Sequence, residues 1–240
     1  MPDTRRHRGP HPRDKTLFAP EKLPLLHKAV SDYAWLLGRG YAAKSALELV
    51  GNRYSLHERQ RKAVMRATCS AQARKERNSR EVASIAGQHI WLDGYNVLTT
   101  IEAALSGGLI VQSYDGCYRD IASLHGTFHS VEETIPAIEI VGQFLAMQGA
   151  AQAIWLLDSP VSNSGRLKTL LRETAVKHQW NWDIELAFNP DARLKETTEI
   201  IATADGVILD NCNQWFNLAR CVIDVAVPDA WIINLEELEE

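Results

Sequence analysis

The chain has 240 residues, 45% of them hydrophobic, which is enough for a packed core in one large domain or two small ones. No apolar run approaches the roughly 18 residues of a membrane span, and the basic opening MPDTRRHRGPHPRDK lacks the apolar stretch of a secretory signal, so the expected location is the cytoplasm. Four scattered cysteines without a CxxC pair argue against a zinc site or a disulfide framework.

The net charge of -4 hides a division. Residues 1–88 carry 18 Lys+Arg against 8 Asp+Glu, a balance of +10, and residues 89–240 carry 8 against 22, a balance of -14. A basic half invites a polyanion, an acidic half repels one unless cations intervene, and the two halves attract each other.

Residues 1–20 are rich in Arg, His and Pro and are expected to form a disordered basic arm. A basic helical domain is expected over 21–87. Leu26, Ala29, Val30, Tyr33, Leu36 and Leu37 follow a helical period that Gly38 and Gly40 stop. Ala43, Ala46, Leu47 and Val50 form a second stripe ended by Gly51. Ser55-Leu-His-Glu58 has the pattern of a capping box and opens a third helix to about Gln72. The segment 74–80, RKERNSR, is expected to be a charged break, with Ser79 capping a short helix that ends at Gly87.

From residue 88 to 240 the pattern changes to α/β. Strands are expected at 89–93, 109–111, 153–158, 182–187, 206–209 and 231–235. Helices are expected at 97–105, from the Ser130-Val-Glu-Glu133 capping pattern through Leu145, and at 166–178, 193–202 and 213–220. Such alternation argues for a mostly parallel sheet with helices on both faces.

In open α/β sheets ligands bind outside the carboxyl ends of the strands. Asp93, Asp158 and Asp210 occupy such places, and Asp205 precedes a strand in Thr203-Ala-Asp205-Gly-Val-Ile-Leu-Asp210. Converging carboxylates repel unless a cation bridges them, and hard oxygen donors suit Mg²⁺ or Mn²⁺. Acids at these positions also cap helices.

Ile90-Trp-Leu-Asp93-Gly94-Tyr95-Asn96-Val97-Leu98 resembles the opening strand of the NYN branch of PIN-like nucleases, where Asp-Gly-x-Asn follows an apolar strand. Asp158 after Ile154-Trp-Leu-Leu resembles the second strand-end acid of that family, and Thr203-Ala-Asp205 resembles its later Ala-Asp motif. The whole chain resembles an uncharacterised family with an N-terminal domain of unknown function 434 and a PIN-like C-terminal part. The resemblance, over about residues 88–235, implies a PIN-like α/β fold and divalent-metal-dependent RNA cleavage. Asp93, Asp158 and Asp205 would then hold one or two ions, Asp210 would be a further ligand or neighbour, and Asn96 would orient Asp93 or a phosphate. PIN-like enzymes often add an acid from a middle helix; Glu132, Glu133 and Glu139 are the candidates.

Other polar groups complete the expectation. Arg59, Arg61, Lys62 and Arg66 on the third helix would meet RNA phosphates, or form a solvated or docking face. The stretch 115–129 is dense in reactive groups and could cover the site, with Arg119 on a phosphate or simply beside Asp120. His125 and His129 lie four apart, but Gly126 weakens a helical metal pair. Ser162 and Ser164, before the helix near Arg166, could offer free N–H groups to a phosphate or merely cap it. The expected function is a metal-dependent ribonuclease recruited to RNA by the basic domain. Its rivals are a non-catalytic RNA- or nucleotide-binding module and a protein-interaction adaptor.

Overall fold

In the computed structural model, which describes residues 9–121 and 128–236, helical periodicity places most of the N-terminal elements. A single turn, α1 (Asp14–Leu17), leads through a 3-10 turn into α2 (Leu23–Gly38), which buries Leu26, Ala29, Val30 and Tyr33 along one stripe. Helices α3 (Ala43–Arg53) and α4 (Glu58–Ala67) pack on it. The capping box of α4 forms two residues later than expected. Ser55 takes φ 48, unlike the extended backbone of an N-cap, and His57 caps instead, with Gln60 Oε1 accepting from the His57 N–H at 3.0 Å.

Two sequence expectations fail here. Residues 9–20 are not a free arm: Asp14 and Phe18 are buried, and Arg59 grips Asp14 through Nε and Nη2 at 2.6 and 2.7 Å. Residues 1–8 lie outside the described part. The charged stretch 74–80 is not a break but most of α5 (Ala71–Arg80), capped by Ser70, whose Oγ accepts from the Ala73 N–H at 3.1 Å. Ser79 sits inside that helix and donates to Glu76 O at 2.8 Å rather than capping a new one. The α5 helix has no apolar stripe for periodicity to reveal.

The second half alternates as expected through β1 (His89–Asp93), α6 (Gly94–Leu105) and β2 (Ile110–Gln112), adds a strand that was not expected, β3 (Tyr118–Asp120), within the 115–129 stretch, and resumes the expected order with α7 (Thr134–Met147), β4 (Gln152–Asp158), α8 (Ser164–His178) and β5 (Trp182–Ala187). Beyond β5 the assignments shift. The 193–202 segment divides into α9 (Pro190–Glu196) and strand β6 (Ile200–Ala202), and the expected strand 206–209 is the short helix α10 (Gly206–Leu209). Then come β7 (Gln214–Trp215), α11 (Leu218–Ala226) and β8 (Ile232–Asn234). Short buried apolar runs read alike as strand or helix, and here the cap decides: Asp205 Oδ1 accepts from the Val207 and Ile208 N–H groups at 2.8 and 3.2 Å.

Strands order as β5-β4-β1-β6-β7, every neighbouring pair parallel. One face packs on α6, α7, α8 and α11 through residues such as Leu92, Trp155, Ile138 and Leu171. The other packs on α9 and α10 through Ile154, Ile201, Leu194 and Ile208. A second, three-stranded sheet, β3-β2-β8, joins the halves. Its Val111 and Ile233 pack with Leu26, Val30 and Val64 of the helices, while Ile110 faces the α/β core. The expected boundary at residues 87/88 is therefore not a linker between separate cores.

The junction is sealed by charge. Asp115, in the turn between β2 and β3, is buried between two guanidiniums: Arg77 Nη1 at 2.6 Å, and Arg119 Nη1 and Nη2 both at 2.7 Å. Arg77 Nε also reaches Asp210 at 2.7 Å. The two arginines hold the Asp115 carboxyl far below the usual carboxylate range despite its burial. Asp115→Ala leaves two buried cations facing each other and should cost about 3–5 kcal/mol in chemical denaturation, whereas Asp210→Ala, at a half-exposed partner, should cost about 1 kcal/mol or less. Because the folded pKa is depressed, the contribution of Asp115 is present above about pH 4 and fades as acid titrates it, so Asp115→Ala should converge toward wild-type stability only in strong acid.

Candidate functional site

The carboxyl edge of the five-stranded sheet opens into a cleft of about 390 Å³ bounded by α4, α5 and α6 and by the loops after β1 and β6. Asp93 ends β1, and Gly94 follows it at once. A Cβ on Gly94 would stand 2.6 Å from Leu157 Cδ2 and 2.8 Å from Leu156 O, so close approach of β4 is the reason for glycine there. Asp205 follows β6, the strand directly beside β1.

Hydrogen bonds lock these two acids together. Thr203 Oγ1 donates to Asp93 Oδ2 at 2.7 Å and accepts from the Asp205 N–H at 3.0 Å. Asn96 Oδ1 accepts from the Ala204 N–H at 2.7 Å, pinning the loop that carries Asp205 to the start of α6. Asn96 thus orients Asp205 rather than hydrogen-bonding the Asp93 side chain through its own. The same loop is held from behind, since Arg119 Nε donates to Ala204 O at 2.7 Å and Arg77 Nη2 to Gly206 O at 3.2 Å.

Electrostatically the pair is under-compensated. The Asp93 carboxyl is pushed up to about 7, by burial first and then by the neighbouring charges of Asp205 and Asp191; the Thr203 hydrogen bond works against the shift. Arg66, Arg77 and Arg119 line the cleft, but each serves another acceptor: Arg66 Nη1 donates to Asp120 O at 2.5 Å, and the other two clamp Asp115.

The remaining sequence candidates separate. Asp158 ends β4 two residues past the level of Asp93 and is not part of the cleft lining; burial and Asp191 raise its pKa. Asp210 is the C-cap of α10, not a strand end, and serves Arg77. Among the described residues no three His, Cys, Asp or Glu side chains are grouped to hold a metal, so the expected three-carboxylate cage is not assembled. Arg119 is buried in its ion cluster instead of covering the site from a surface loop. On α4, Arg59 holds Asp14, Arg61 donates to Leu56 O and Asn52 Oδ1, and Arg66 docks on Asp120, so three of the four cations expected to meet RNA are used inside the protein. Burial, then Arg66, lowers the pKa of Lys62. Ser162 is exposed and Ser164 opens α8 from a buried position. Of the middle-helix acids, Glu139 meets Lys177 and His178, on α8. His129 is exposed, and His125 lies outside the described residues.

Sequence reasoning missed Thr203, Tyr95, Asp191 and Arg77. The first two lie inside the quoted motifs without having been given a role; Arg77, inside a run of charges, carried no signal of burial. The raised pKa of Asp93 has a thermodynamic consequence. A carboxyl raised on folding contributes its stability below the unfolded pKa near 4 and loses it as pH climbs through about 7. Asp93→Asn should therefore melt above wild type at pH 8 without added metal, and the gap should shrink or reverse at pH 5; a gap independent of pH would contradict the repulsion described.

Matches to known proteins cover most of the chain. The family model described as "Domain of unknown function (DUF5616)" matches residues 82–221, and "Protein of unknown function (DUF434)" matches residues 25–80. An uncharacterized protein of Methanocaldococcus jannaschii is 32% identical over 190 residues, 78% of this chain and 90% of that protein. No solved structure matches. The two matched segments meet at the α5 junction, and Arg77 of the first segment donates to the Gly206 carbonyl beside Asp205 of the second. The chain belongs to the DUF5616 family and carries a DUF434 region ahead of that domain.

Proposed function

We propose that the protein is a divalent-cation-dependent ribonuclease whose reacting centre is the Asp93–Asp205 pair on a PIN-like fold. One observation carries the reading. Two acids stand in a cleft at the carboxyl edge of a parallel sheet, Thr203 joining the Asp93 carboxylate to the Asp205 backbone N–H, and among the described residues no basic side chain forms an ion pair with Asp93. Repulsion of that kind is relieved by a cation.

The donor set fits Mg²⁺ or Mn²⁺ in their ordinary mode. Magnesium is held by one or two carboxylates, retained waters and substrate phosphates rather than by an all-protein cage, so a pair suffices. Bound there, the ion would supply a water made nucleophilic at neutral pH and charge neutralisation for the phosphodiester oxygens. Asp93 and Asp205 would hold the ion; Thr203 fixes the Asp93 carboxylate; Asn96, Arg77 and Arg119 keep the Asp205 loop from yielding. Arg66, at the cleft wall, leans toward the anionic substrate while anchored on Asp120.

The test is cleavage of single-stranded and structured RNA in Mg²⁺ or Mn²⁺, with chelator as control, alongside thermal melts with metal alone. Wild type should cleave and should be stabilised by either ion. Asp93→Asn should lose at least about 100-fold in rate, in the range lost when a group stabilising transition-state charge is removed, and should lose the metal-induced shift in melting temperature. Wild-type protein that binds RNA but cleaves it in neither metal would support the binding-module reading. Equal cleavage by Asp93→Asn would remove this residue from the reaction.

A further inference from the structure

The helical layer holds a second hollow, which shares no lining residue with the cleft of the acid pair. It is a groove of about 390 Å³ between α2 and α3, lined by Leu36 and the buried Val50 and flanked by Trp35 and Leu49. Helical spacing brings charge to the same place. On α2, Trp35 and Leu36 lie three and four residues after Asp32; on α3, Arg53 lies three after Val50 and four after Leu49, so each helix sets a charged side chain one turn from its apolar ones. Trp35 is 58% exposed and Leu49 57%. A single bare apolar side chain is ordinary, but two that flank one groove form a patch of the kind that marks a contact surface.

The patch has its own shape and charge. The Arg39 guanidinium sits over the Trp35 ring, 5.0 Å from its centroid, and steadies the indole from one face. Asp32 of α2 and Arg53 of α3 meet at 3.4 Å beside the groove, with side chains 42% and 71% exposed. The Tyr54 hydroxyl donates to the same Asp32 oxygen at 2.8 Å and holds the carboxylate in place. An ion pair this exposed adds little to the stability of the chain, so either member can turn to a second molecule with little loss.

We propose that this groove is the contact of a two-fold homodimer, in which Trp35 of each copy enters the groove of the other and Arg53 of each copy pairs with Asp32 across the axis. In an isologous interface one patch meets itself, residue i on j and j on i, so the patch must carry both halves of every contact. This one does. A projecting indole stands beside a hollow, and a carboxylate on one helix stands beside a guanidinium on the other. A small molecule or an unrelated protein calls for the hollow alone. Tryptophan and arginine are also the side chains on which association energy concentrates. The patch is small, so the association is weak, with a dissociation constant on the order of 10 μM. Nothing in the inference depends on the ribonuclease reading.

Sedimentation velocity of the full chain, over concentrations on both sides of that constant, should show the mass of one chain rising to that of two. Trp35→Ala and Leu49→Glu alter exposed side chains, so each should melt as wild type does while its dimer weakens at least about tenfold. A charge exchange tests the reciprocal pairing. Asp32→Arg alone and Arg53→Asp alone each set like charges against each other twice across the axis, and each should dimerise poorly. An equal mixture of those two proteins should form a heterodimer within a few fold of wild-type affinity, because every arginine again faces an aspartate. An ion pair that acts only within one chain is not repaired by mixing. A wild-type chain that stays monomeric throughout overturns the proposal and leaves the groove to a different protein or a small molecule. So does a dimer indifferent to Trp35→Ala and Leu49→Glu, or a mixture that associates as poorly as its parts.

Discussion

Asp115 and its two arginines are the contact on which the rest of the arrangement depends. A carboxylate this deep would be strongly unfavourable alone, and so would either guanidinium. With Asp210, which accepts from Arg77 Nε, the cluster balances its charge, and both arginines spend further hydrogen bonds on backbone carbonyls. Those carbonyls belong to Ala204 and Gly206, the residues on either side of Asp205. One cluster therefore closes the junction between the helical layer and the α/β layer and also fixes the loop that carries half of the acid pair.

This gives the N-terminal helices a role unlike the one their charge implied. A basic segment ahead of an acidic domain invites the idea of an arm that captures nucleic acid. Arg59, Arg61, Arg66, Arg77 and Arg80 instead find acceptors within the protein, three of them on the acidic half. Part of the opposite charge of the two halves is thus an internal attraction, through Arg66, Arg74 and Arg77. The helical layer also supplies a wall of the cleft through Met65, Arg66 and Thr68, so it helps shape the site.

Much of the architecture was legible in the sequence because it rests on period and punctuation. The stripe of α2, the apolar runs of β1, β4 and β5 and the 166–178 helix were placed to within a few residues. Errors gathered where three or four apolar residues stood between polar ones, at 200–202 and 206–209, since such a run fits either a strand or a turn of helix until its cap is known. The charged α5 was missed for a related reason: its buried side is an arginine, which no hydrophobic pattern marks. At the site, Asp93 and Asn96 followed from the end of an apolar strand, whereas Asp205, expected to precede a strand, was marked by the resemblance of its Thr203-Ala-Asp205 motif and in fact follows β6 and caps α10. The departure of Asp158 and Asp210 was not legible, because a sequence does not tell how far past the sheet edge a carboxylate stands or which arginine will take it.

The small sheet has a consequence for how the chain is made. Ile233 and Leu235 sit in the core of the N-terminal helices, β8 is hydrogen-bonded to β2, and the ring of His27 meets Asn234 O at 2.6 Å across 207 residues of sequence. During synthesis the first helices leave the ribosome long before these partners exist. Until then one side of their apolar stripe has nothing to cover it except chaperones or other nascent chains. Domain-by-domain folding from the N-terminus, the usual course for a chain of this size, is thereby denied to the helical layer, whose burial completes only when the chain's final strand arrives.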